Sequence, residues 1–307
     1  MDKHPSNSTA ALPADEPVSS AERARAASRS TWVSVGVNLC LSCAQILVGL
    51  VAHSQALVAD GLHSLSDLFA DFVVLVANRF SSAASDEDHH YGHYRYENAA
   101  SLVIGLLLLA VATGMLWSGV HKVLAPEAIT PAHASALWVA GAALIAKELL
   151  FRYMLAVAQR VRSTLLVANA WHARSDAASS LIALVGIGAS LLGHPVLDPV
   201  AGLVVGLFVL RMGFSFTWAA LSDLMDHSAD AADNARIEDL IRTTPQVAGL
   251  HNLRTRKMGD LILVDVHVEV AGTLNVREGH DIALRARDRV LDAMPQVLNV
   301  MTHIDPV

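Results

Sequence analysis

The feature that most constrains the fold is a stretch of 22 residues, Thr31 to Ala52, without a single charged side chain. A helix of about 20 apolar residues crosses the roughly 30 Å hydrocarbon core of a bilayer. Only 17% of all residues are charged, below the roughly 25% typical of soluble domains. Five more largely apolar stretches follow, so the sequence predicts six membrane-spanning helices. These stretches run over residues 57–80, 99–120, 134–153, 165–192 and 200–221.

Positively charged residues are distributed unevenly between the predicted loops. Arginines occur in the N-terminal segment and in the loops after the second and fourth spans, whereas the alternate loops contain only Lys122. Because positively charged loops remain in the cytoplasm, both termini are predicted to be cytoplasmic. The arginines concerned are Arg23, Arg25, Arg29, Arg79, Arg95, Arg152, Arg160 and Arg162.

The character of the sequence changes at two points. Residues 1–28 mix Pro, Ser, Ala and charges of both signs, which is typical of a flexible tail, and residues 29–225 contain the six spans. From 226 to 307, short alternating strands, clearest over 261–270, are mixed with amphipathic helices. The predicted fold class is a membrane all-α six-helix domain followed by a small α+β cytosolic domain. The net charge of −7 argues against a nucleic-acid partner.

Two segments, one in the second span and one in the fifth, match each other. Residues 59–67 (ADGLHSLSD) and 168–176 (ANAWHARSD) share the pattern A-[D/N]-x-x-H-x-x-S-D. Residues four apart lie on one face of a helix, so His63 pairs with Asp67, and His172 pairs with Asp176. Two such helices supply two imidazoles and two carboxylates, a set suited to tetrahedral Zn²⁺. An ionisable residue costs roughly 2.5–3.5 kcal/mol at the centre of a spanning helix, which argues against an accidental repeat.

Other interpretations of these membrane residues stay open. The His and Asp side chains could hydrogen-bond one helix to another without a metal. Asp60 and Asn169, one turn earlier, could orient metal ligands or line a polar cavity. Cys40 and Cys43 lie in an apolar run, which favours packing over a redox or thiolate-metal role.

Two further groups of His and acidic residues lie outside the predicted spans. The loop of residues 86–93 (DEDHHYGH) concentrates three acids and three histidines, which indicates metal binding, although solvated His and Asp are common in loops. The cytosolic domain contains a second set, in which strand alternation allows His267 and His303 to converge. The full second set is His251, His267, His280, His303 and Asp305.

With these motifs, the chain from about Ser30 to Pro306 resembles the cation diffusion facilitator family of metal-ion/proton antiporters, of the bacterial zinc/ferrous-iron efflux type. The resemblance depends on the paired span motifs, on the loop pattern D-x-x-H-x-Y-G-H-x-R-x-E over residues 86–97, and on L-R-T-R-x-x-G over residues 253–259. It implies a ferredoxin-like, metallochaperone-like cytosolic domain and a homodimer, in a protein of the bacterial inner membrane.

The resemblance also implies roles for individual residues. The transport site falls on His63, Asp67, His172 and Asp176, and an additional loop site falls on Asp86, His89 and His93. Metal bound at the cytosolic dimer interface falls on His251, His267, His280, His303 and Asp305. A basic residue at the start of span three, Arg95, pairs with an acid after span six, Asp226.

This sequence departs from the best-known bacterial pattern in one ligand, because it has His63 where that pattern has Asp. A site with one carboxylate fewer is softer and less negative, which favours Zn²⁺ over Mn²⁺; Cd²⁺, Fe²⁺, Co²⁺ and Ni²⁺ are the alternatives. The prediction is a non-enzymatic antiporter that exports Zn²⁺ in exchange for protons without ATP, and the chain has no phosphate-binding loop motif. The competing hypotheses are an intramembrane zinc hydrolase, for which no H-E-x-x-H occurs, and a non-transporting metal sensor or scaffold.

Overall fold

The computed structural model describes residues 20–81, 83, 85–125, 129–160 and 164–307. Six long helices come first, and a mixed α/β segment follows them. The helices are α1 (Ser20–Val51), α2 (Gln55–Ser81), α3 (Arg95–Leu124), α4 (Ala134–Arg160), α5 (Thr164–Leu191) and α6 (Leu197–Leu224). The remaining elements are α7 (Ala231–Arg242), β1 (Gly249–Met258), β2 (Leu261–Val270), α8 (Val276–Ala293) and β3 (Val297–Pro306).

The first helix begins before the predicted span. Residues 1–19 of the predicted tail lie outside the described residues, whereas residues 20–28 form the first turns of α1. This segment is rich in Ala and Arg, which are among the strongest helix formers, and it continues directly into the apolar span. The flexible-tail prediction therefore does not hold for residues 20–28.

Within the described part of the chain, four helices are long and apolar enough to cross a membrane: Ser28–Val51, Arg95–Leu124, Ala134–Arg160 and Leu197–Leu224. They belong to α1, α3, α4 and α6. Large apolar side chains remain exposed on them, including Trp32, Trp117 and Trp138, as expected of residues that face lipid or its interface. The helices α2 and α5 are of similar length but contain the paired His and Asp residues, which lower their apolar content. The chain is an integral membrane protein.

The chain packs into two compact units. The first unit comprises Met1–Ser64 and Ala128–Ala201, so its described part contains α1, the start of α2, α4 and α5. Small side chains dominate its core, which lets helix backbones approach closely within a membrane. The buried residues of this core are Ala52, Ala56, Leu57, Ala132, Ala136, Ala140, Ala183, Ile187 and Ala201.

The second unit comprises Leu65–Glu127 and Gly202–Val307. In it, α3 and α6 pack through glycines. A Cβ atom added to Gly105 would lie 2.6 Å from the backbone nitrogen of Thr217, and one added to Gly213 would lie 2.9 Å from that of Leu109. These contacts leave no space for a side chain, so the two glycines set the separation of α3 and α6.

Replacing Gly105 with alanine is expected to destabilise the protein by about 1–3 kcal/mol, because the added methyl group forces α3 and α6 apart. Gly114 is the matched control, since it lies on the same helix and a Cβ there meets no atom within 4 Å. Gly114→Ala is expected to leave stability unchanged or to raise it by up to about 1 kcal/mol. Thermal unfolding of the purified variants in detergent measures the difference; equal effects at the two positions would contradict the packing account.

The C-terminal part is a three-stranded sheet with two helices. The strand order is β1-β2-β3. The central strand β2 is antiparallel to β1 and parallel to β3. The helix α8 begins with a capping box. The Asn275 side chain accepts a hydrogen bond from the Glu278 backbone N–H, and the Glu278 carboxylate accepts one from the Asn275 backbone N–H, which stabilises the N-terminus of the helix. The buried core includes Ile237, Ile241, Val264, Val266, Val268, Ile282, Val290 and Met294. The predicted class, a helical membrane domain followed by an α+β domain, is confirmed.

The predicted alternation of β2 is present and positions the polar residues. Val264, Val266 and Val268 are buried in the core, while the intervening Asp265, His267 and Glu269 are only partly buried. Successive side chains of a strand point to opposite faces of the sheet. The polar residues of β2 therefore share the face that the core does not cover.

Candidate metal centres

The first candidate centre lies where α2 and α5 meet within the first unit. Each of His63 and Asp176 offers a ligand atom, and these two atoms lie within 4.8 Å of each other. His63 is buried, with 8% of its surface exposed, and Asp176 is partly buried. An imidazole and a carboxylate at this separation, within two otherwise apolar helices, form a pair that a divalent cation can bridge.

The other two predicted ligands lie one helical turn away from these. Asp67 follows His63 by four residues on α2, and His172 precedes Asp176 by four residues on α5. The His172 side chain is exposed, and among the described residues it is not part of the metal-competent group. The structure therefore brings His63 and Asp176 together, whereas the exposed His172 lies outside the metal-competent group of the described residues.

A buried polar network surrounds Asp60, one turn before His63. The carboxylate is fully buried and accepts hydrogen bonds from Ser179 Oγ and Ser180 Oγ, both at 2.6 Å, and from Gln45 Nε2. Lys147 Nζ on α4 lies 3.4 Å from Asp60 Oδ1. A buried carboxylate needs such partners because an isolated charge is costly in an apolar medium.

Lys147 connects three helices at this point. Its Nζ donates to Ser64 Oγ at 2.9 Å on α2 and to the backbone oxygen of Asp176 at 3.4 Å on α5. Only 3% of its surface is exposed. The sequence alone leaves the role of Asp60 open and gives none to Lys147. In the structure, Asp60 joins α2 to α5 through its hydrogen bonds with Ser179 and Ser180. A lone lysine within an apolar helix was the available signal, because such a residue requires a buried partner.

The second candidate centre is the loop before α3. Asp86, His89 and His93 have ligand atoms within 4.8 Å of one another. His89 Nδ1 lies 3.2 Å from one Asp86 oxygen and His93 Nε2 lies 3.3 Å from the other. Gly92, with φ of +78°, makes the turn that brings the two rings to 4.5 Å between centroids. The structure thus assembles all three loop residues that sequence analysis named.

The Asp86 carboxylate also organises the loop backbone. Its Oδ1 accepts the N–H of His89 at 2.7 Å and that of Asp88 at 3.0 Å, an Asx turn. The bond from the His89 backbone lowers the pKa of Asp86 below its ordinary value, because it stabilises the ionised form. Asp86 therefore stays ionised at neutral pH, in the form that a metal requires.

Replacing Asp86 with asparagine is expected to weaken zinc binding by the loop at least about 10-fold, because the charge is lost while an oxygen remains to accept the turn bonds. Glu87→Gln is the matched control, since it removes the same charge from an adjacent exposed residue. Equilibrium dialysis of the full chain against buffered free zinc, followed by metal analysis, counts the ions retained. One ion fewer is expected for Asp86→Asn alone; an equal loss in both variants would indicate a general charge effect instead.

The third candidate centre is a row of histidines across the C-terminal sheet. His251 of β1 is paired with His267 of β2, which is paired with His303 of β3, and neighbouring ring centroids lie 5.0 and 4.7 Å apart. Asp305 reaches all three, with its oxygens 2.8 Å from His267 and 3.3 Å from each of the others. Directly paired cross-strand residues are close neighbours on one face, so strand register creates this cluster.

Within this row, His251, His267 and Asp305 form the metal-competent group. The hydrogen bond with the His267 side chain lowers the pKa of Asp305 below its ordinary value, since it favours the ionised form. His280 lies exposed on α8 and, among the described residues, is not part of this group.

Two other features named from the sequence have defined positions. Arg95, the first residue of α3, donates from Nη2 to Asp226 and from Nη1 to the Leu224 backbone oxygen at 3.3 Å. The implied ion pair is therefore present within the second unit. Cys40 and Cys43 are free thiols exposed on α1.

Comparison with known proteins gives matches over nearly the whole chain. Residues 31–225 match the family description "cation efflux transmembrane domain", and residues 229–307 match "cation efflux protein, cytoplasmic domain". Metal tolerance protein C1 of Arabidopsis thaliana is 35% identical, over 87% of this chain but only 59% of that longer protein. The manganese efflux system protein MneS of Bacillus subtilis is 33% identical, over 82% and 86% of the two chains. An uncharacterized transporter of Methanocaldococcus jannaschii is 32% identical, over 90% and 96%.

Proposed function

Because this chain belongs to the cation efflux family, we propose that it exports divalent metal cations, with Zn²⁺ as the principal substrate, in exchange for protons. The observation that carries the proposal is the pair His63 and Asp176, whose ligand atoms lie within 4.8 Å of each other between two long helices. An imidazole and a carboxylate are ligands that together favour a borderline-soft divalent cation such as Zn²⁺.

The proposed transport site adds Asp67 and His172 to that pair. Each lies one turn from a member of the pair on its own helix and therefore on the same helix face. Four ligands of N₂O₂ type complete the tetrahedral shell that Zn²⁺ prefers. The Bacillus subtilis relative is named for manganese efflux; we base the zinc proposal on the two histidines, since Mn²⁺ favours all-oxygen sites.

Proton exchange follows from the chemistry of these ligands. A metal binds neutral imidazole and ionised carboxylate, so each binding event displaces whatever protons those groups hold. On the more acidic side of the membrane, protons compete with the metal for the same groups and favour its release. The proton gradient then supplies the driving force without ATP.

We further propose that α2 and α5 cross the membrane with the four apolar helices, that residues 29–225 form the membrane domain, and that both termini are cytoplasmic. The loop group (Asp86, His89 and His93) and the histidine row of the C-terminal sheet then face the cytoplasm, the compartment from which metal is taken. Metal bound there is proposed to steady a homodimer through residues 226–307 and to regulate transport. Of the residues named from the sequence, His280 has the least support, since among the described residues it is not a member of the metal-competent group on the sheet.

The test is flux in liposomes containing the purified protein and a metal-sensitive dye. Zn²⁺, Mn²⁺, Cd²⁺, Co²⁺ and Fe²⁺ are added separately, with and without a pH gradient. Zinc flux that increases with the gradient supports the proposal. Flux of Mn²⁺ above Zn²⁺ would overturn the zinc assignment, and tight zinc binding without flux of any ion would identify a sensor or scaffold.

A further inference from the structure

Two histidines lie close together near the N-terminal end of α2. His53 lies in the turn between α1 and α2, and His133 lies just before α4. Their ring centroids are 6.1 Å apart and their planes are inclined by 54°. Both side chains are exposed, and both belong to the first unit.

The backbone holds the first histidine in an unusual conformation. Ser54 N–H donates to Gly49 O at 2.9 Å and His53 N–H donates to Leu50 O at 3.4 Å, the bond pattern of a Schellman helix end. His53 occupies the left-handed position of that motif, with φ of +57°, where glycine is the usual residue. Positive φ is uncommon for residues other than glycine, although histidine is among those enriched there, and such a residue is a reason to ask what its side chain does.

A second backbone bond places the other histidine beside the first. His133 N–H donates to the Ala52 backbone oxygen at 3.0 Å, so the residue before His53 fixes the position of His133 directly. This bond fixes the backbone positions of the two histidines relative to each other, while both side chains remain exposed.

The ring separation fits a shared metal ion. With a metal–nitrogen bond of about 2.0–2.1 Å, the ion lies ~3.2 Å from each ring centroid. Two imidazoles on one tetrahedral ion then have centroids ~5.2 Å apart, and two opposite each other have centroids ~6.4 Å apart. The observed 6.1 Å lies between these values, so side-chain rotation alone allows both rings to coordinate one ion.

We propose that His53 and His133 form a metal site for a first-row divalent cation that accepts imidazole ligands, such as Zn²⁺. With two protein ligands the remaining positions are open to water, which suits an ion that is bound briefly. His63 lies eight positions after Gln55, the first residue of α2, which is about 12 Å along the helix. A role in releasing the transported ion depends on the proposed function; metal binding by this pair does not.

Residue-resolved chemical modification of the full chain tests the site. Diethyl pyrocarbonate modifies accessible imidazoles, and mass spectrometry reports the rate at each histidine. With Zn²⁺ present, modification of His53 and His133 is expected to slow at least 5-fold, while Mg²⁺ has no effect. His121 is the internal control, because it is exposed and its Nδ1 lies 3.1 Å from the Trp117 backbone oxygen of its own helix.

Variants distinguish a shared site from two independent ones. His53→Gly removes the ring and suits the left-handed backbone, so the fold is retained; zinc protection of His133 is expected to disappear. Asp176→Ala, expected to stop transport, leaves protection of His53 in place, so failure of the proposed function gives a different result from failure of this site. Protection of His133 that persists in His53→Gly, or equal protection of His121, would overturn the proposal.

Discussion

Asp176→Ala is expected to lower zinc flux at least about 100-fold while the protein remains folded. The reason is that Asp176 supplies the only ligand oxygen of α5 in the proposed site, and even outer-shell partners of a metal ligand cost 10–100-fold when removed. The measurement is zinc uptake by liposomes at a fixed pH gradient, with the variant present at the same density as the unmodified chain.

Ser175→Ala is the matched control for that variant. It lies next to Asp176 and its hydroxyl donates only within α5, to the Trp171 backbone oxygen at 3.2 Å. Its flux is expected to stay within about 2-fold of the unmodified chain, as for a surface substitution with little effect. Near-normal flux in Asp176→Ala would exclude this residue from the transport site.

Lys147→Met is expected to destabilise the protein by about 3–5 kcal/mol, the usual cost of removing one partner from a buried ion pair. The variant leaves Asp60 fully buried with hydroxyl and amide donors but without its cation. Ser64 also loses its bond from Nζ. Thermal unfolding in detergent, followed by circular dichroism, measures the change against the unmodified chain.

The double variant Lys147→Met with Asp60→Asn separates charge from packing. If the lost stability comes from an uncompensated carboxylate, neutralising it is expected to recover more than half of the loss. Lys122→Met, at the exposed end of α3, controls for the general loss of a lysine and is expected to change little. No recovery in the double variant would show that the three-helix contact, and not charge, dominates.

Periodicity was sufficient to predict the elements that depend on local sequence. The repeated H-x-x-x-D spacing predicts two ligands on one face of a helix, and the alternation of β2 predicts a polar face with His267. The three loop residues, Asp86, His89 and His93, also come together as their sequence proximity suggests. These features follow from helix and strand geometry within one segment.

Features that depend on packing between segments were harder to predict from the sequence. The contact of Lys147 with Asp60 joins residues on α4 and α2. A lysine within an apolar helix indicates that a buried partner is needed, but nothing local in either helix identifies that partner. The exposure of His172 depends on the rotation of α5, which the four-residue spacing does not fix. The pair His53–His133 requires a backbone bond between two separate turns. Of the six spans that composition predicted, four are long and apolar enough to cross a membrane among the described residues, and composition did not reveal that residues 20–28 continue α1.

The most direct test of the α2–α5 metal site is zinc K-edge X-ray absorption on the full chain after the loop site and the C-terminal histidine row have been removed. The substitutions that remove them are Asp86→Ala, His89→Ala, His251→Ala and His267→Ala. His53→Gly is included so that the outer histidine pair contributes nothing. The account predicts one zinc ion per chain with nitrogen and oxygen ligands at about 2.0–2.2 Å, lost on adding Asp176→Ala. Sulfur ligands at about 2.3 Å, or zinc retained without Asp176, would contradict it.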